Sequence, residues 1–174
     1  MDQAVAGLIG TALGGLIGVA GTLGAARLNG RDQRRNQHDH WRRTQRRSAY
    51  SHLLSKFSEA MRAGSKALDA YQMRHPSAAP LIEQFDELVQ SLDEAMSSVD
   101  LEGPESASSA ARDLVGAMFN WSNGLVLAQA ADDGEFTPTV HDASLDVMTL
   151  LEEKSACYDA SDAFIALCRG LLDD

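Results

Sequence analysis

From Gln3 to Ala26 the chain carries no charge, and the 23 residues from Ala4 to Ala26 are all Ala, Gly, Val, Leu, Ile or Thr. At the helical rise of 1.5 Å per residue this stretch spans about 34 Å, enough to cross a hydrocarbon core of about 30 Å. It is therefore predicted to be a transmembrane helix, and that single feature sets the frame for the rest of the chain. A cleaved signal peptide is the first alternative. It would need a basic leading region and a shorter apolar run. Here the leading residues are Met1, Asp2 and Gln3, and arginines follow the run. Gly24-Ala25-Ala26 is the one plausible cleavage site. A buried soluble helix or a re-entrant segment is the second alternative, because seven glycines dilute the hydrophobicity.

Small residues recur along this segment in a regular order. Ala4, Gly7, Thr11, Gly14, Gly18, Gly21 and Ala25 follow one another at alternating steps of three and four, which places them on a single heptad seam. Gly10, Gly14 and Gly18 also form two overlapping Gly-x-x-x-Gly motifs. Both patterns let helix backbones approach closely, which is how transmembrane helices associate without a hydrophobic driving force. The seam Gly7, Gly10, Thr11, Gly14, Gly18 and Gly21 is thus expected to mediate homo-oligomerisation, with Gly14 and Gly18 common to both patterns. The competing reading is a genome composition rich in Gly and Ala codons.

Charge is sharply segregated after the apolar run. Arg27 to Arg47 holds eight Arg against Asp32 and Asp39, a net of about +6, whereas Ser48 onward holds seven Lys or Arg against 22 acids, a net of about −15. With Asp2 these blocks account for the whole-chain charge of −10. Positive charge beside a transmembrane end stays cytoplasmic, so the expected topology is N-terminus out and C-terminal domain in the cytoplasm. Arg27, Arg31, Arg34, Arg35, Trp41, Arg42, Arg43, Arg46 and Arg47 are expected to rest on anionic lipid headgroups, each basic side chain contributing about 1 kcal/mol. An Arg-rich helix also suits nucleic acid, but the acidic domain behind it argues against that partner. A third possibility is contact between the basic segment and the acidic domain. His38 and His40 sit two apart and diverge on a helix, so they are read as surface residues rather than metal ligands.

The expected fold class is all-α: one transmembrane helix followed by an antiparallel bundle of about four helices. Three segments are expected, namely an anchor over residues 1–30, a basic connector over 31–47 and an acidic bundle over 48–174. In the first bundle helix Tyr50, Leu53, Leu54, Phe57, Met61, Gly64, Leu68 and Tyr71 form one apolar stripe ending near Pro76. A second helix is predicted from about Pro80 to Leu101, with Leu81, Phe85, Leu88, Val89, Leu92 and Met96 inward. A third runs from about Glu105 to Ala131, with Ala111, Leu114, Val115, Met118, Phe119, Trp121, Leu125, Val126 and Leu127 as core candidates and Asn123-Gly124 as a soft point. A fourth is predicted from about Val140 to Leu172, with Leu145, Met148, Leu151, Cys157, Tyr158, Ala160, Phe164, Ile165, Leu167 and Cys168 available to the core. No segment alternates with period two, so no sheet is expected.

Chemistry is sparse in the sequence. Cys157 and Cys168 lie eleven residues apart, about 16 Å along a helix. That is beyond disulfide reach, so both are expected to be buried and reduced. The acidic pairs Asp86 and Glu87, Asp93 and Glu94, Asp132 and Asp133, and Glu152 and Glu153 are expected on solvated faces. There is no P-loop, dinucleotide fingerprint, nucleophile elbow, zinc-protease motif or Cys-x-x-Cys. No catalytic residue, metal or cofactor is expected. Gly7 to Gly24 followed by His40-Trp41-Arg42-Arg43-Thr44-Gln45-Arg46-Arg47-Ser48-Ala49-Tyr50 resembles a group of small actinobacterial membrane-anchored helical proteins. These join a Gly/Ala-rich membrane helix to an Arg-rich connector and an Ala-rich helical domain. The resemblance covers roughly the first 60 residues and implies a location rather than an activity. The reading is a membrane-anchored, self-associating scaffold that presents a bundle to a cytoplasmic protein. A small pore-forming or membrane-disrupting effector is the alternative, weakened because Thr11 is the only polar residue on the seam.

Overall fold

The computed structural model describes residues 40–134 and 146–173. The predicted span over residues 4–26, its glycine seam, Arg27, Arg31, Arg34, Arg35 and Leu145 lie outside them. Helices account for 91% of the described residues and no strand occurs among them, so the class is all-α. No helix among the described residues is long and apolar enough to cross a membrane. Contacts divide the chain into two units, Met1–Arg43 and Thr44–Asp174, and the hydrophobic core belongs to the second.

Helix α1 occupies residues 40–72. Its inner face is the stripe expected from the spacing: Tyr50, Leu53, Phe57, Met61 and Leu68 are buried, joined by Ala49, Ala60 and Ala67. The helix closes in a Schellman turn. The His75 amide donates to the Ala70 carbonyl and the Arg74 amide to the Tyr71 carbonyl, both at 2.9 Å, while Arg74 takes the left-handed conformation at φ 49°. Glycine is the usual occupant of that position. Pro76 follows and prevents the helix from resuming. Ser77, at the start of the next helix, makes no side-chain cap. Its hydroxyl and its amide both engage His75 Nδ1 instead, at 2.7 and 3.2 Å.

The predicted second helix is in fact two, α2 (Ala78–Gln90) and α3 (Leu92–Glu102). Ser91 separates them. Its hydroxyl donates back to the Leu88 carbonyl at 2.7 Å, a local bond that competes with the helical ladder and bends the chain. Ile82, Phe85, Val89, Leu92, Ala95 and Val99 are buried. Beyond the bend Ala95 faces the core, and the expected Met96 is only partly buried. Helix α3 stops at Gly103, whose amide donates to the Val99 carbonyl at 2.8 Å, and α4 (Glu105–Asp132) begins directly after Pro104.

Helix α4 (Glu105–Asp132) packs against α2, α3 and α5 (Val147–Asp173). Its buried positions include the adjacent pairs Leu114 and Val115, Trp121 and Ser122, and Gly124 and Leu125. An arc that wide belongs to a helix with neighbours on more than one side. Asn123-Gly124 does not interrupt it. Helix α5 begins at Val147, where Asp146 caps it: Asp146 Oδ1 accepts the Thr149 amide at 2.8 Å; the start expected near Val140 lies outside the described residues.

Contacts along the bundle fix the directions of the helices. At one end Arg46 of α1 bonds the last carbonyl of α3, and the Tyr50 and Phe164 rings meet edge-on at 5.9 Å. Midway, the α1 backbone at Gly64 lies against Phe85 and Trp121. At the other end Tyr71 and Asp132 lie together, lining one cleft. On α4, Gly124 lies beside Leu150 and Glu153. Successive long helices therefore run antiparallel, with α2 and α3 sharing one course.

Two groups of core expectations are corrected. Val126 and Leu127 on α4, and Met148, Leu151 and Tyr158 on α5, are exposed. Helix α5 lies at the edge of the bundle and buries only a narrow strip of Leu150, Cys157, Ser161, Phe164 and Cys168. Leu151 and Tyr158, turned about 80–100° from Leu150, and Met148, turned about 160°, lie off that strip.

Candidate functional site

The described part of the basic segment occupies the first turns of α1. Trp41 is half-exposed, and Arg42, Arg43 and Arg47 are exposed. Arg46 departs from the surface set. It is partly buried, and its Nε donates to the Glu102 carbonyl at 3.0 Å. The last carbonyls of a helix have no partner within it and carry partial negative charge, so Arg46 closes the C-terminus of α3. Beside it the Tyr50 hydroxyl is buried without a hydrogen-bond partner. Burial raises its pKa, with Cys168 adding to the rise and Arg46 opposing it.

Cys157 and Cys168 are both buried and free, as their spacing implied. Burial, then the Glu153 carboxylate, pushes the Cys157 thiol up to about 12. Burial alone pushes Cys168 up to about 11. A thiol attacks as its thiolate, so neither is poised as a nucleophile at neutral pH. Among the described residues no group of three or more His, Cys, Asp or Glu is arranged to hold a metal ion.

Two acids leave the solvated faces assigned to them. Asp86 is partly buried and accepts from the Ser122 hydroxyl at 2.8 Å and from Gln90 Nε2 at 2.7 Å. Because Ser122 is fully buried, this bond satisfies a hydroxyl that water does not reach. Glu153 lies across Gly124, its Oε2 buried and unpartnered, and burial raises its pKa. Glu87, Asp93, Glu94, Asp132, Asp133 and Glu152 are exposed as expected. The Trp121 indole Nε1 is also buried without a partner, and Lys154 Nζ lies 5.9 Å from the centre of the Trp121 ring.

An open cleft of about 480 Å³ lies at one end of the bundle, lined by Tyr71, Arg74, His75, Gln129, Asp132 and Asp133 among others. It sets Arg74 and His75 against Asp132 and Asp133, and no unpartnered buried polar group lines it. No protein-family model, curated protein or solved structure matches the chain. What the described residues offer is surface. There is an exposed arginine cluster at the start of α1, an acidic exterior, and a run of uncovered apolar side chains on α5. The last was missed as a surface because periodicity groups residues on a face without saying whether anything covers it.

Proposed function

We propose that the chain is a membrane-anchored, self-associating scaffold without enzymatic activity, which presents its acidic helical bundle to a cytoplasmic protein partner. The observation that carries this reading is the order of properties along the chain. An uncharged 23-residue run is followed by a segment of about +6 and then by a domain of about −15. The first suits lipid, the second the cytoplasmic headgroup layer, and the third a basic protein surface.

Supporting the non-enzymatic part, both thiols are buried and hard to ionise, and the two partly buried acids serve packing contacts. Supporting self-association, small residues recur at helix-interface spacing from Ala4 to Ala25. Replacing Gly14 and Gly18 with Ile tests the assembly. Crosslinked oligomers of the full-length protein in membranes are expected to fall sharply while the far-ultraviolet circular dichroism of the bundle is unchanged. Undiminished crosslinking would remove the seam from the account.

A further inference from the structure

We infer that the outer face of α5 is a docking strip for a basic amphipathic helix of a partner protein. The inference rests on the reading of the bundle as a presenting domain, and it names both the surface and the chemistry of what the surface receives.

The strip is built on a seven-residue repeat. Leu151, Tyr158, Ile165 and Leu172 stand at successive heptad positions of one helix, so they share a line along its surface. Leu151 is 39% and Tyr158 52% exposed, and Met148, one turn before Leu151, is 64% exposed. Ile165 and Leu172 are partly buried at the edge of the core. The line runs beside the column Leu150, Cys157 and Phe164, which the bundle buries. Helix α5 thus carries an apolar stripe wider than its own fold covers. From Met148 to Leu172 the strip is about 36 Å long, the reach of a helix of six to seven turns. Helix-in-groove recognition uses such i, i+3/i+4, i+7 anchors.

The occupant follows from the border. Glu152, Asp159 and Asp162 are exposed beside the strip. The basic residues of α5 are Lys154, which lies over the Trp121 ring, and Arg169. Two α5 helices placed face to face would bring acidic borders together, which disfavours a second copy of this strip. An anionic membrane surface meets the same repulsion. The chain's own basic segment does not fit either, because from Arg31 to Arg47 Trp41 is its only large apolar residue. A helix with an apolar stripe flanked by Lys or Arg satisfies both the strip and its border.

The test uses the full-length protein in nanodiscs of zwitterionic lipid, with a 21-residue probe peptide carrying Leu at heptad a and d positions and Lys at the flanks. A Leu151→Ser, Tyr158→Ser variant in the same nanodiscs provides the background, and thermal melts confirm that it is folded. Both changes are at exposed positions, so the fold should tolerate them. The native protein is expected to bind the probe at least about tenfold more tightly than the variant, and the ¹³C methyl signal of Met148 is expected to shift on binding. Reversing the border with Glu152→Lys, Asp159→Lys and Asp162→Lys should move the preference to a peptide with Glu in place of Lys.

Equal binding by native protein and Ser variant, binding of a scrambled peptide as tight as that of the probe, or no binding at about 100 μM would each overturn the inference. So would anionic vesicles competing for the same strip, or a dimer lost with the Ser variant, since lipid or a second copy would then be the occupant. Crosslinking through the glycine seam does not depend on α5, so failure here is distinguishable from failure of the scaffold reading.

Discussion

Replacing Gly64 with alanine is expected to destabilise the bundle, although the same change on an open helical face should stabilise it. An alanine Cβ at position 64 would lie 2.6 and 2.7 Å from Trp121 ring carbons and 2.8 Å from a Phe85 ring carbon. Ordinary contact begins near 3.4 Å, so at least one ring must retreat by about 0.8 Å. Neither has room to do so. Trp121 and Phe85 are fully buried and packed on each other with centroids 4.8 Å apart. Overpacking costs about 1–3 kcal/mol, and a clash with two buried rings at once lies in the upper part of that range, about 2–3 kcal/mol; the helix-propensity gain of Ala over Gly offsets about 1 kcal/mol of it. The expected net loss is about 1–2 kcal/mol, a fall in Tm of roughly 3–8 °C. Gly116, within α4, has nothing within 4 Å of the equivalent methyl position, so Gly116→Ala should gain about 0.5–1 kcal/mol. Thermal and urea unfolding followed at 222 nm on the full-length protein in micelles would measure both. A Gly64→Ala protein as stable as the parent, or one that shifts in the same direction as Gly116→Ala, would refute the close packing of α1 against these rings.

Three further outcomes follow from the same structure. Arg74→Gly should stabilise by about 1 kcal/mol, because it relieves a non-glycine residue held at φ 49°; urea unfolding would show a higher midpoint, and a lower one would contradict the Schellman turn. Glu153 has a folded-state pKa raised by burial, so the folded protein holds that proton more tightly than the unfolded chain, and the associated stability is lost as pH rises from the ordinary carboxylate range through the raised value. Glu153→Gln should therefore match the parent near pH 4 and exceed it by about 1 kcal/mol at pH 7; an equal difference at both pH values would count against a buried carboxylate. The thiols of Cys157 and Cys168, buried and raised to about 12 and about 11, should resist a disulfide-exchange reagent at pH 8 until the protein is unfolded; rapid labelling of either in the native protein would show that its cover is incomplete.

Much of the bundle was legible in the sequence where one face of a helix is fully covered. The three-and-four spacing from Tyr50 to Leu68 marked the inner side of α1 correctly. The expected start of the third helix near Glu105 is that of α4, and the eleven-residue interval between the cysteines put both on the buried strip of α5. The bend at Ser91 was not legible, since a serine that bonds the carbonyl three residues back leaves no distinctive mark in composition. Helix α5 was over-assigned to the core because its apolar residues form a stripe broader than the bundle covers, and Leu150, at the centre of the buried strip, was missed. Adjacent acids diverge on a helix, which is why one of each pair was bound to face outward. Sequence alone did not reveal that Asp86 would meet Ser122 across the α2–α4 interface or that Glu153 would lie over Gly124. Of the proposed membrane-surface set, Arg46 is engaged by the end of α3, whereas Trp41, Arg42, Arg43 and Arg47 are exposed.

The most direct measurement is fractionation of cells expressing the full-length protein with a C-terminal tag, followed by protease treatment of spheroplasts. Under the proposed function, residues 4–26 anchor the chain and Arg27 to Arg47 keep the bundle inside. The tag is expected to stay with the membrane, at full length, and to be protected until the membrane is permeabilised. A tag released into the soluble fraction, shortened near Ala26, or digested from outside would contradict the anchored cytoplasmic scaffold.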